Sequence, residues 1–413
     1  MSTRPWDIVV FGATGFTGAL VAEYLASNAP AHLRIALAGR NADKLEGVRR
    51  SLGGAGARFG ALRADTSDAA SVHSLASQAR VVCTTVGPYA KYGLPLVEAC
   101  ARAGTHLCDL TGEVQFMRRS IDAFDGVARS TGARIVHACG FDSIPSDLGM
   151  ATVHDFVKRE GGSGQLVRAT FAVVKLKGAA SGGTVASMLN AVEEATADRA
   201  VRRLFADPYA LSPDRSKEAD LGRQRDLTSL RYDDFLGGWT APFMMASVNT
   251  RVVRRSNALL DYAWGQRLDY REVSLLRPGF KGLLFGAGMT AGLAALVASQ
   301  LFTPTRDLVR RRLPQPGEGP DRARREAGSF RVRIEAETVE GRRVTGTVAG
   351  TSDPGYGETS KMLSQAALCL AQDEASLPER AGVLTPATAM GMTLVERLRR
   401  AGMTFDATWA TAR

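Results

Sequence analysis

The stretch Asp7–Gly18, DIVVFGATGFTG, constrains this chain more than any other. Asp7–Phe11 is a short run of β-branched and aromatic residues, the pattern of a buried strand. Gly12, Gly15 and Gly18 follow at three-residue spacing. From Phe16 to about Ser27 the pattern turns helical, with Leu20, Val21, Tyr24 and Leu25 on one face. Strand, glycine turn and helix together make a phosphate cradle. Gly12 permits the tight turn, Gly15 lets a pyrophosphate approach the backbone, and Gly18 lets the helix pack on the strand. Thr14, Phe16 and Thr17 complete the same turn, and the helix start offers free N–H groups to phosphate oxygens. The spacing is GxxGxxG rather than the commoner GxGxxG, so the residues beyond it must carry part of the argument.

At 413 residues the chain exceeds one ordinary core, and two domains are expected. Its 45% hydrophobic and 23% charged content describe a folded protein. The net charge of +10 admits nucleic acid or an anionic membrane surface as a partner. The five cysteines form no CxxC and no dense framework, which suits a reducing cytoplasm. The N-terminal residues run directly into the first strand, so no secretory signal is expected.

Asn28-Ala29-Pro30 ends the first helix, Arg34–Ala38 reads as a second strand, and Gly39-Arg40 follows. An acidic residue about 20 positions after the glycine turn would bind the ribose 2′-hydroxyl of NAD. Arg40 stands there instead, with Lys44 one turn on. A guanidinium pairs with a 2′-phosphate that a carboxylate would repel, so the cofactor inferred is NADP. A third strand, Arg58–Ala64, ends at Asp65, which either faces the adenine or caps the next helix at Ser67–Ala76. Val81–Thr85 is a fourth strand. The loop Val86-Gly87-Pro88-Tyr89 after it lies at the carboxyl edge of the sheet, where ligands bind, and Gly87 and Pro88 join the cofactor set. Further strands at Thr105–Leu110 and Arg134–Ala138 alternate with helices. The repeat predicts an α/β fold with a parallel, doubly wound sheet. His106 and Cys108 on one strand, and His137 and Cys139 on another, match no standard metal spacing and read as buried structural side chains.

Beyond residue 147 a strand at Gly164–Lys177 and a helix from Ser181 to about Ala195 precede a charged, irregular stretch, Arg199–Arg231. Gly237–Asn249, with Trp239, Phe243, Met244 and Met245, either lines a greasy site or is plain core. Gly282–Phe302 has no charge over its length. Basic residues flank both of its ends, which does not sort to one side of a membrane. A helix or hairpin dipping into one leaflet is preferred to a buried core or dimer helix and to a true span. Pro314–Gly328 reads as a polar loop, and Phe330–Ala336 with Val344–Gly350 as an antiparallel hairpin. Glu358–Gln372 reads as a helix, Gly382–Pro386 follows, and a helix near Met392–Arg400 closes the chain. The expected division is 1–147 for the cofactor domain, 148–372 for an α+β substrate and membrane-associated domain, and 373–413 for a C-terminal segment.

The stretches VVFGATGFTG, LAGRNADKL, TTVGPYAKYGLPLVEAC, CDLTGE, HACGFDSIPSDLG, SGGT and GVLTPA, in this order, resemble the saccharopine-dehydrogenase-like oxidoreductases, most closely their trans-acting enoyl reductase branch. The resemblance runs from Asp7 to about Val395. It implies a Rossmann NADP domain, an α+β domain of the saccharopine-reductase kind, and a C-terminal segment packing back near the first domain. It further implies saturation of a carbon–carbon double bond in a long lipid precursor such as those of phthiocerol-type cell-wall lipids, by an enzyme separate from the polyketide synthase that makes it.

Reducing a conjugated enone needs a hydride at the β-carbon, a donor to the enolate oxygen and a proton for the α-carbon. Tyr89 is nominated as donor, with Tyr92 and Lys91 as helpers; interface packing with a satisfied hydroxyl is the other reading of Tyr89. Asp109 and Glu113 could position a water or the ribose. Asp142, a third catalytic candidate, and Ser143 lie at the domain junction. A saccharopine or amino-acid dehydrogenase would need cations at the cleft, for which Arg168 and Lys175 could serve. A non-catalytic NADP-binding protein that interacts with lipid is a third reading. The expected partners are a lipid substrate and an anionic membrane surface at the inner face of the plasma membrane, with a homodimer left open. No aromatic-interleaved basic face points to nucleic acid.

Overall fold

The computed structural model describes residues 4–178, 182–299 and 319–410. The first sheet contains β1 (Trp6–Phe11), β2 (Ile35–Gly39), β3 (Gly60–Arg63), β4 (Ala79–Thr84), β5 (His106–Asp109), β6 (Arg134–Val136) and β13 (Gly382–Leu384). Its order is β13-β6-β5-β4-β1-β2-β3, and every pairing is parallel. Ile8, Val9 and Val10 are wholly buried, as a strand covered on both faces requires. Strand order reverses between β1 and β4, which opens a crevice at their carboxyl ends.

One cover of this sheet comes from far along the chain. The helix Thr359–Gln372 packs against β1, β4 and β5 and buries Met362, Leu363, Ala366 and Leu370. The first core therefore takes in residues that the expected boundary at 372 assigned to the second domain.

The second sheet contains β7 (Leu166–Lys177), β8 (Arg231–Asp233), β9 (Gly238–Pro242), β10 (Asp269–Leu275), β11 (Ser329–Thr338), β12 (Arg343–Gly350) and β14 (Thr404–Trp409). The order is β14-β12-β11-β7-β10-β9-β8, with only the β7–β10 pair parallel. The expected hairpin is β11–β12. Alternate residues Phe330, Val332, Ile334 and Ala336 face inward. The helix Ile144–Arg159 lies on this face, and at Gly149 a Cβ would come within 2.5 Å of Ile334 Cδ1. The C-terminal segment divides: β13 extends the first sheet beside β6, and β14 extends the second beside β12.

Two alternatives left open by the sequence are narrowed. The helix after β3 starts at Ala69 and is capped by Asp68, which accepts the N–H groups of Ala70 and Ser71. Asp65 instead accepts the backbone N–H and hydroxyl of Ser67 in a local turn. Of the two forms expected for the uncharged stretch, the described part takes the single helix, Phe280–Ser299, and most of its surface is exposed rather than buried in the core. Among the described residues no helix is long and apolar enough to cross a membrane. The rest of that stretch and residues 314–318 of the expected loop lie outside the described residues; within the remainder of the loop Arg322–Glu326 forms a short helix.

Candidate functional site

A cavity of about 440 Å³ opens where the strand order reverses. Gly12, Thr14, Gly15, Phe16, Thr17, Gly18, Arg40, Gly87, Pro88, Tyr89, Tyr92 and Asp142 all line it. Of the expected site residues, Lys44 and Asp65 do not. Lys44 joins Asn41 only through its backbone N–H, at a helix start.

The glycine turn has the shape of a phosphate cradle. Gly12 has φ +91°, and a Cβ there would come within 2.8 Å of Thr85 Oγ1 and 2.9 Å of Val86 Cγ2. At Gly18 a Cβ would stand 2.1 Å from the Gly12 carbonyl oxygen, so only glycine lets helix and turn touch. The helix Phe16–Asn28 begins at Gly15 with no side-chain cap and no acid in its first turn. Its first N–H groups are thus left for an anionic ligand. Arg40 lies on the same wall and forms no ion pair among the described residues. Asp65 is held below its usual range first by the Ser67 hydrogen bonds and, less, by the nearby Arg40 charge. Amides for a diphosphate and a guanidinium for one more phosphate are what NADP requires.

At the other end of the cavity the tertiary structure redistributes the candidate roles. Tyr89 is buried, and its hydroxyl donates to the Thr84 carbonyl at 3.2 Å. Burial pushes that phenol well above its usual range. The hydroxyl is thus satisfied within the first domain rather than at an interface. Tyr92 is half-exposed on the rim. Lys91 is exposed and does not line the cavity.

Glu113 is fully buried. Its carboxylate accepts the N–H of Tyr89 at 3.0 Å and of Ala90 at 2.8 Å, and the Ser187 hydroxyl at 2.8 Å. It fixes the loop after β4 to the helix Gly182–Ala197 of the second domain. Asp109 is also internal. It meets His137 Nδ1 at 2.6 Å and accepts the N–H groups of Thr111 and Ala138, while His137 Nε2 meets Ser120 at 2.8 Å. Among the described residues no three His, Cys, Asp or Glu side chains converge to hold a metal.

Asp142 differs from both. Its carboxyl makes no hydrogen bond among the described residues and faces the cavity beside Gly112, where a Cβ would stand 3.4 Å from Asp142 Oδ2. Burial without a compensating donor raises it from 3.8 to about 7. Next to it, the Ser143 hydroxyl donates to Asn249 at 3.1 Å, and Asn249 donates to the buried Glu272 at 2.9 Å, which ties the junction to the second sheet.

The remaining walls come from the second domain. Met244, Met245 and Val248 line the cavity, so part of the Gly237–Asn249 run is a site wall. Phe205, Ser187 and Ala191 join them, and no local signal marked these three. Tyr356, also missed, packs edge-on against Phe16 at 4.9 Å between ring centroids. Among the described residues none that lines the cavity belongs to the helix Phe280–Ser299. Arg168 sits elsewhere, 3.8 Å from Asp233 and over the Phe235 ring, and Lys175 is exposed. Among the described residues Arg40 is the cavity's one cation.

Residues 8–136 match the family described as the saccharopine dehydrogenase NADP-binding domain. A Mycobacterium tuberculosis protein named as a trans-acting enoyl reductase is 47% identical over 414 residues, covering 98% of each chain. The chain belongs to the trans-acting enoyl reductase family of saccharopine-dehydrogenase-like proteins. Trans-acting enoyl reductases of Mycobacterium ulcerans and Mycobacterium bovis are each 43% identical to it, again over 98% of both chains. The saccharopine dehydrogenase (L-Glu forming) of Saccharomyces cerevisiae shares the fold, with a TM-score of 0.54 at 13% identity over 98% of this chain and 100% of that one. This family member is an oxidoreductase whose cofactor is NADP. The glycine turn and Arg40 are the residues that would hold it.

Proposed function

We propose that the protein saturates an α,β-unsaturated carbonyl group in a long-chain acyl or polyketide-derived lipid precursor, with NADPH as reductant. One observation carries this reading. Among the described residues one carboxyl without a hydrogen bond, Asp142, faces the cavity that holds the glycine cradle, among Met244, Met245 and Phe205. Apolar walls with one cation, already suited to a cofactor phosphate, favour an alkyl chain over a dicarboxylic amino acid. Names of the mycobacterial relatives point the same way.

NADPH, when bound, supplies the hydride for the β-carbon. Asp142 holds a proton near neutral pH because burial penalises its charged form, and it gives that proton to the α-carbon. Met244, Met245 and Phe205 exclude water and seat the chain. Glu113 holds the backbone at Tyr89 and Ala90, which fixes the cavity wall.

The test is NADPH oxidation with a long-chain enoyl thioester or enone, with mass spectrometry of the product. The expected product gains two hydrogens. Asp142→Asn is expected to lower kcat by about 10²–10⁴-fold with NADPH affinity kept. Tight NADPH binding without turnover of any long-chain α,β-unsaturated carbonyl would overturn the reading.

A further inference from the structure

The helix Phe280–Ser299 presents an apolar surface that the cofactor site does not use. One stripe of it is covered. At Gly286 a Cβ would come within 2.4 Å of Leu276 and 2.9 Å of Leu230, so the helix lies close against the end of β10. The opposite faces are bare: Phe280, Leu284 and Phe285 are 78%, 64% and 70% exposed, and Ala291, Ala295 and Ala298 are exposed further along. A helix apolar all round, with most of its surface uncovered, is not suited to water. Its two hydroxyls are bonded back to the helix's own carbonyls. Thr290 donates to the Gly286 carbonyl at 2.8 Å and Ser299 to the Leu296 carbonyl at 2.7 Å.

The surface continues onto the adjoining end of the second sheet. The Leu276 N–H donates to the Trp239 carbonyl at 2.9 Å, and the half-exposed rings of Trp239 and Tyr232 meet edge-on. The β7–β10 register, Ser274 opposite Val173, places exposed Val174 and Leu176 at the same end. Cations accompany this rim. Lys175, Lys177, Arg277 and Lys281 are exposed and form no ion pair among the described residues. Asp234 is an exposed carboxylate in the same region.

We propose that this helix and rim dock the protein on an anionic phospholipid bilayer, the helix lying in the plane of the membrane with its outer face among the acyl chains. The residue types are those of an interface: an apolar helix suits the acyl region, Trp239 and Tyr232 the headgroup boundary, and cations without an ion pair among the described residues the phosphates. Such cations beside a bare apolar helix complement an anionic lipid surface in both charge and polarity. This docking surface is independent of the catalytic reading, since no residue of it lines the cofactor cavity.

Flotation of the full chain with phosphatidylcholine vesicles, with and without phosphatidylglycerol, tests it. Binding is expected to the phosphatidylglycerol vesicles and to weaken as salt rises. Phe285→Glu is expected to lower that binding by about ten- to a hundredfold, the loss for withdrawing a buried aromatic side chain. The same variant should keep wild-type NADPH affinity, which separates lost docking from lost folding. Lys281→Glu, on the rim, should also weaken binding. Absence of binding to either vesicle, or equal binding to both at all salt concentrations, would overturn the proposal. So would a vesicle-free dimer, seen by sedimentation, that Phe285→Glu converts to a monomer without any vesicle binding.

Discussion

The Glu113 carboxylate, carried by the first domain, accepts the Ser187 hydroxyl of the second at 2.8 Å while it also receives two backbone N–H groups, of Tyr89 and Ala90. One buried group thus sets both the loop beside the cofactor and the approach of the opposite wall. Ser187→Ala removes one of three donors and is expected to cost about 0.5–1.5 kcal/mol. Glu113→Ala strands two inward-facing N–H groups and is expected to cost about 2–5 kcal/mol. Urea denaturation of both variants checks the ordering, and equal losses would contradict this account of Glu113.

Two of the turn's three glycines, Gly15 and Gly18, should fail in different ways. At Gly18 a Cβ would sit 2.1 Å from the Gly12 carbonyl oxygen, so Gly18→Ala is expected to disturb the fold and lower the thermal midpoint. At Gly15 the nearest atom to a Cβ is the same oxygen at 3.4 Å, an ordinary contact. Gly15→Ala should therefore fold normally and lose NADPH affinity, because the added methyl stands where the diphosphate approaches. Thermal melts paired with NADPH titration distinguish the two.

Arg40 lines the cavity without an ion pair among the described residues. Arg40→Ala is expected to weaken NADPH by about ten- to a hundredfold, the range for one charge-assisted contact, and to leave NADH nearly unchanged. Equal losses for both cofactors would assign the side chain to another part of the nucleotide.

Asp142 should set the pH dependence of the rate. With its carboxyl near 7, kcat/KM is expected to fall about tenfold per pH unit above that point, and the Asp142→Asn profile to be low and flat there. Stability follows the same protons. Burial raises Asp142 and Asp147 from 3.8 to about 7 and Glu272 from 4.5 to about 8. The native state therefore holds protons that the unfolded chain has released, and the stability they contribute, full below about pH 4, is lost progressively until pH has risen past 7 to 8. His106, lowered from 6.5 to about 4 by burial, acts oppositely but only below about pH 6.5. The thermal midpoint is thus expected to fall from pH 6.5 to 8, and less steeply in Asp142→Asn, whose substituted group breaks no hydrogen bond among the described residues.

The turn at residues 12–18 was legible in the sequence because its determinants are local: three glycines within seven residues, a buried strand before them and a helical run after them. Arg40 was legible for a related reason, since the length of one βα unit brings the end of β2 beside that turn. Other features depended on residues distant in sequence. The Tyr89 hydroxyl bonds within the first domain because Glu113, 24 residues on, fixes its backbone and Phe116 packs against its ring. Gln365 reaches Tyr24 at 2.9 Å across 341 positions, and β13 completes a sheet begun at Trp6. Periodicity records which face of an element is apolar, but not which distant element covers it. The folded chain alone decided that Asp142 faces the cavity without a donor while Asp109 and Glu113 are enclosed, because a carboxyl's environment is made by groups that sequence spacing does not place.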